Sequence, residues 1–268
     1  MTYTPVAPLS GSAGWQFLQR TRATQQETFV ASPRLSRNAE AFREKITGIT
    51  TAEQLVNDRQ LLEVALGAFG LDEDINNRFF IEKMLSDNPA DPRSLPNRMS
   101  DKRYLALNKA FGFGDAIGPR TGFPDFAERI IASYEDRQFE LAVGDVNPTM
   151  RLALGFERDL GNITGRTLSD DAKWFTVMAT GPVRAVFETA LSIPQSVGAL
   201  DLDRQLVEFR TRAQNLFGVS EVSDFAAPEF QDRLMQRFLN QEQLNTSTFD
   251  GTPRSAALAI LQARPLFG

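Results

Sequence analysis

The chain has 268 residues, 42% hydrophobic and 24% charged, enough for one large domain or two small ones with a sizeable core. It contains no cysteine and no histidine, which excludes disulfides, thiolate nucleophiles, Cys/His zinc sites and Ser-His-Asp triads. Lys+Arg total 29 against 34 Asp+Glu, a formal net charge of -5 with no basic block, so a nucleic-acid backbone is not an expected partner.

Met1 to Trp15 has no lysine or arginine and no apolar core of the signal-peptide kind. Pro5, Pro8, Gly11 and Gly14 mark it as a flexible leader. Trp15 to Val30 reads as a weakly amphipathic arm helix whose large apolar anchors are Trp15, Phe17, Leu18 and Phe29. Such an arm is expected to pack on a neighbouring subunit through those four residues or to stay mobile until a partner binds; the alternative is a helix that docks on its own domain. Ser32-Pro33 opens a second helix, and Gly48 fits its stop. Thr51-Ala52-Glu53-Gln54 has the form of a capping box. Leu61 to Phe69 is apolar around most of its circumference, which predicts a central buried helix ending at Gly70.

Asn88 to Pro96 reads as a linker, because Pro89, Pro92 and Pro96 are too close together for helix. Asp101–Phe111 is helical. Gly112 to Pro124 is the most loop-like interior stretch and the expected place for a structural break. Helices follow over Phe126–Val143, Arg151–Leu160, Ser169–Ala179, Pro182–Leu191, Asp201–Phe217 and Pro228–Gln241. Thr252-Pro253 opens a last one, to about Ala263. Alternating β-branched runs are nearly absent. The expected class is all-α, with about ten to twelve helices. The expected organisation is a leader and arm over residues 1–30, then helical halves over 31–120 and 121–268, or one continuous domain from both halves.

A pattern recurs along the chain. Asp58-Arg59-Gln60-Leu61-Leu62-Glu63 resembles Asp203-Arg204-Gln205-Leu206-Val207-Glu208. Helices run into Phe69-Gly70, Phe111-Gly112 and Phe217-Gly218. Each is followed by a frame of aromatic, acid, base and two apolar residues, headed by Phe80, Phe126 and Phe230. The unit this predicts is a helix, a Phe-Gly corner and a second helix. Phe69, Phe111 and Phe217 are expected buried, with Gly70, Gly112 and Gly218 in the left-handed conformation that a Cβ disfavours.

Chemical motifs are few. Gly112-Phe113-Gly114-Asp115-Ala116-Ile117-Gly118 lacks the spacing of a phosphate loop and follows a helix instead of a strand. Asp72-Glu73-Asp74-Ile75-Asn76-Asn77 begins like a calcium loop, but Asn77 replaces the glycine and Lys83 replaces the bidentate glutamate. Asp170-Asp171 after Ser169 reads as a charged helix start, not an acid/base pair. No catalytic residue, cofactor site or metal site is assigned.

Ile49 to Leu62 with Ala68-Phe69-Gly70-Leu71, Asn97 to Tyr104 with Ala110-Phe111-Gly112-Phe113, and Met150 to Leu154 together carry a family resemblance. Over roughly residues 36–245 the chain resembles a bacterial domain-of-unknown-function family, number twelve-seventeen. That family is seen mainly in alphaproteobacteria and often beside flagellar genes. The resemblance implies a flagellar or motility role by association and carries no catalytic residue across.

The functional expectation is a non-enzymatic structural or interaction protein with a protein partner, flagellar by the resemblance. The alternative is a helical module for a small ligand or peptide; a carboxylate and arginine enzyme ranks last. No apolar run of the ~20 residues needed to span a membrane is present, so no membrane insertion is expected. The expected compartment is the cytoplasm, or the exterior by way of a flagellar-type export machine without a cleaved signal. Oligomeric state is left open by the residues.

Overall fold

Helix caps and stops cut this chain into many short helices. The computed structural model describes residues 3–250. Among them are thirteen α-helices and four 3-10 helices, and no strand, so the fold is all-α. In order they are α1 (Gly11–Val30), α2 (Pro33–Lys45), α3 (Ala52–Asn57), α4 (Arg59–Phe69), α5 (Arg78–Ser86), α6 (Leu95–Arg98) and α7 (Arg103–Phe111). Then come α8 (Phe126–Val146), α9 (Pro148–Thr164), α10 (Asp170–Ala179), α11 (Gly181–Ala190), α12 (Leu202–Phe217) and α13 (Pro228–Asp250). The 3-10 helices are Ile46–Gly48, Asp72–Asn76, Gln195–Ala199 and Val222–Ala226. The last helix expected, over 252–263, lies outside the described residues.

Local chemistry explains many of the ends. Thr51 and Gln54 form the reciprocal capping box at the start of α3. The Asp58 side chain accepts from the amides of Gln60 and Leu61 and so starts α4. Gly70, Gly112 and Gly218 end α4, α7 and α12 at φ +70, +73 and +79, where any other L-residue would be strained.

The chain divides into two compact units. Among the described residues, one holds Arg22–Ala142 with residues 3–5; the other holds Val6–Thr21 with residues 143–250. The boundary therefore falls inside α1 and inside α8, not in the glycine-rich stretch 112–124 and not at residues 30 and 120. At those points the chain stays helical, and Gly144, just past the second of them, does not end α8, whereas 112–124 is tied into the first unit by hydrogen bonds described below.

In the first unit, α4 is central: Leu61, Leu62, Val64, Ala65 and Leu66 have no exposed surface. It packs on α2, α3 and α7. Gly67 lies under the Tyr134 ring, where an added Cβ would stand 2.6 Å from Cδ2. In the second unit α11 packs on α9 and α13. Its core is aromatic: Trp174, Phe156, Phe187, Phe209 and Phe225 are fully buried.

Three expectations are corrected. The leader is shorter than Met1–Trp15, since α1 begins at Gly11, and Pro5 and Ala7 are buried. Of the four arm anchors, Trp15, Leu18 and Phe29 are buried inside the chain itself and Phe17 is partly so. Phe29 meets Phe139 edge-on with centroids 5.8 Å apart. A helix with few apolar residues is held when those few are large, each contributing roughly 1.5–3 kcal/mol on burial, so these anchors do not form an outward docking face. Finally, the two Asp-Arg-Gln segments are not equivalent. Leu61 and Leu62 are buried, whereas Leu206 is half-buried and Val207 is 64% exposed. Asp58 is an N-cap, whereas Asp203 lies within the first turn of α12.

Candidate interaction site

The stretch after α7 is a closed loop. The Arg120 amide donates to Phe111 O at 2.8 Å, joining the loop's two ends. Inside it the Asp115 amide donates to Gly112 O and the Gly118 amide to Asp115 O. The Arg120 side chain donates to Lys109 O and, at 2.5 Å, to Asp115 Oδ2. One arginine thus caps the end of α7 and braces the loop, as cations do at helix C-termini. Thr121 Oγ1 donates to Ile49 O at 2.6 Å, anchoring the loop to a residue distant in sequence. Gly114 is pressed against another segment: a Cβ there would stand 2.1 Å from Asp87 O.

This frame holds apolar side chains outward. Ile117, at the tip, is 80% exposed, and Phe123 is 50% exposed. Exposure of single apolar residues is ordinary, but here hydrogen bonds fix the backbone that carries one. The amides of Asp115, Ile117, Gly118 and Arg120 all donate within the loop, so they form no phosphate cradle.

Beside the loop is an open groove with a volume of about 670 Å³. Pro89, Ala90, Ala106 and Ala110 supply small apolar side chains, and Lys109, Arg120, Arg129 and Asp115 supply charge. Its Pro89–Ala90 wall is fixed by two buried or half-buried asparagines. Asn108 Nδ2 donates to Met84 O at 2.7 Å, Leu85 O at 3.2 Å and Asp87 O at 2.9 Å. Asn97 Nδ2 donates to Pro89 O and Asp91 O at 2.9 and 2.8 Å. Neither asparagine stands out in the sequence, because its partners are carbonyls that any residue type would present.

The corner residues are distributed unevenly. Phe111 is fully buried and meets Phe126 edge-on at 5.1 Å. Phe217 is buried against Phe225 at 5.3 Å. Phe69 is only half-buried, against the expectation of a core ring. The apolar pairs after each corner, Met84–Leu85, Ile130–Ile131 and Leu234–Met235, are all buried.

The other polar groupings are engaged internally. Asp72 Oδ1 accepts from Gln138 Nε2 at 2.6 Å, and Asp74 Oδ2 accepts from Tyr104 at 2.6 Å. No group of three metal-ligating side chains occurs among the described residues. A smaller cavity, about 280 Å³, is lined by Arg34, Arg59, Glu63 and Asp72. Arg34 pairs with Glu63 at 2.5 Å, and burial pushes the adjoining Tyr134 phenol up to about 12.

In the second unit three carboxylates surround Arg210, which reaches Asp171 at 2.6 Å, Glu221 at 3.1 Å and Asp170 at 3.5 Å. Ser169 caps α10 by accepting from the Ala172 amide, so Asp170 and Asp171 do occupy a helix start. Burial alone would raise Asp170, but hydrogen bonds with Glu221 and from the Val222 and Ser223 amides hold it below the usual range. The hydrogen bond with Asp170, then burial, push Glu221 up against the pull of Arg210. Between the ordinary carboxylate value and the raised one, the folded chain binds a proton at Glu221 more readily than the unfolded chain does. Stability from that proton is present at acid pH and lost as pH rises through the raised value. Asp170 acts in the opposite sense: it stabilises above the ordinary carboxylate value and ceases to as pH falls through its lowered one. Glu221→Gln is expected to keep or gain stability at neutral pH, and Asp170→Asn to lose it there, both differences shrinking in acid. Thermal melts across pH check this; a Glu221→Gln variant that loses most at neutral pH contradicts it.

No helix among the described residues is long and apolar enough to cross a membrane. No curated protein matches the chain. A protein from Agrobacterium tumefaciens, known from an X-ray crystal structure, is similar in fold at TM-score 0.68 and 23% identity, over 90% of this chain and 99% of that one. The bacterial family described as "Protein of unknown function (DUF1217)" matches residues 68–230, more than half of the chain and the middle of the stretch that carries the resemblance. The chain belongs to that family.

Proposed function

We propose that this is a non-enzymatic protein-interaction protein that docks a partner through the loop tip and groove beyond α7. The observation that carries this reading is Ile117, held 80% exposed on a loop closed by hydrogen bonds. A pre-organised apolar anchor binds without the cost of ordering its own backbone. The small-ligand alternative would use the cavity at Arg34 and Glu63, whose charges already pair with each other. A motility role is part of the proposal; its support is the family resemblance and the flagellar genes associated with it.

Two arms test the reading. Quantitative capture from motile cells compares the wild-type chain with Ile117→Asp, and a swimming assay compares a deletion strain with its complemented forms. A partner held by the wild type and lost with Ile117→Asp, together with swimming restored only by the wild type, is expected. Equal capture by both chains sinks the docking reading. Normal swimming in the deletion strain sinks the motility role.

A further inference from the structure

We propose that the groove beside the loop receives an acidic segment of the partner protein. This names the ligand class of the interaction site above and rests on that reading. The chain as a whole carries -5, so its net charge does not by itself attract an acidic partner. The groove has the opposite sign: Lys109, Arg120 and Arg129 face it with one carboxylate, Asp115. Arg120 already neutralises Asp115 at 2.5 Å, and Arg129 shares Asp125 at 3.3 Å. Exposed Lys109 has no ion pair among the described residues, which leaves one uncompensated cation in the groove.

Shape points to a polypeptide. Ala106 and Ala110 lie one turn apart on α7, on the face that carries Lys109, and both line the groove. A chain can approach closely over such residues and set a carboxylate on Lys109 while an apolar side chain meets Ile117. A free phosphate would leave the apolar floor uncovered. Potentials of opposite sign steer encounter and select the partner more than they add affinity.

The test uses the full chain and two labelled peptides of the same leucine and alanine framework, one with glutamates and one with lysines at the same positions. Fluorescence anisotropy is expected to show binding of the glutamate peptide only, weakened by salt. Lys109→Glu and the groove-filling Ala110→Leu should each raise Kd at least tenfold, while Arg37→Glu, outside the groove, leaves it unchanged. Equal binding of both peptides, binding of neither, or an unchanged Kd in Lys109→Glu overturns the proposal. So does full displacement of the glutamate peptide by inorganic phosphate, or by phosphatidylglycerol vesicles, which would assign the groove to those ligands. If the peptide fails while Ile117→Asp still abolishes capture, the ligand class is wrong and the interaction reading stands. If Ile117→Asp leaves capture unchanged, the interaction reading falls whatever the peptide does.

Discussion

Replacing Trp174 by alanine is expected to cost ~3–5 kcal/mol, the range for truncating a large aromatic ring in a packed core. Trp174 has no exposed surface. Its ring meets Phe187 at 5.2 Å, Phe209 at 5.7 Å and Phe225 at 6.5 Å, all edge-on. Three elements therefore lose a shared contact at once. The indole Nε1 also donates to Ser220 O at 2.9 Å, just before the turn Val222–Ala226. Alanine leaves that carbonyl without its donor and opens a cavity that the surrounding rings cannot close. Trp174→Phe keeps most of the packing and should cost about 1–2 kcal/mol for the lost hydrogen bond and volume. The chain has two tryptophans, so Trp15 remains as a fluorescent reporter when Trp174 is removed. Urea titration followed at Trp15 and by circular dichroism reads the loss. A change under ~1 kcal/mol for Trp174→Ala contradicts the account.

Asn108→Leu is the second large effect, about 3 kcal/mol, from stranding buried carbonyls at roughly 1–3 kcal/mol each. The last carbonyls of any helix lack intrahelical donors. In α5 those of Met84 and Leu85, with Asp87 beyond, receive Asn108 Nδ2 from α7. The chain that follows has Pro89, Pro92 and Pro96, which have no amide to offer. Leucine is similar in size, so packing is kept; it also removes Asn108 Oδ1, a buried oxygen with no hydrogen-bond partner among the described residues, which offsets part of the cost. Hydrogen exchange over residues 84–99 should accelerate with the fall in stability. A variant as stable as the wild type, with unchanged exchange there, rules this out.

Much of the helical layout is legible in the residues because the signals are local. The Thr51–Gln54 box and the three left-handed glycines act over a few positions, and each ends or begins a helix; the Asp58 cap that separates α3 from α4 is seen only in the structure. The unit boundary is not legible. Between Ala142 and Val143 the chain stays helical, so no helix end marks the division. The stretch 112–124 misleads in the other direction. Its glycines read as a break, yet Thr121 bonds Ile49 and Gly114 fits against Asp87. Those partners are far away in sequence and no local pattern announces them. Gln205 shows the same limit. It occupies the position of exposed Gln60 in the apparent repeat, but is buried and donates to Leu200 O at 2.7 Å.

The closed loop separates what it holds from how it is held. Its closing hydrogen bonds run through Phe111 O, the Arg120 amide and side chain, Asp115 and Thr121, and none uses the side chain of Ala116 or Ile117. The tip is therefore free to vary. A relative could exchange Ala116 and Ile117 for residues of different size or charge while every bond of the frame survives. Partner choice could then diversify by substitution at the tip alone, without a compensating change in the core.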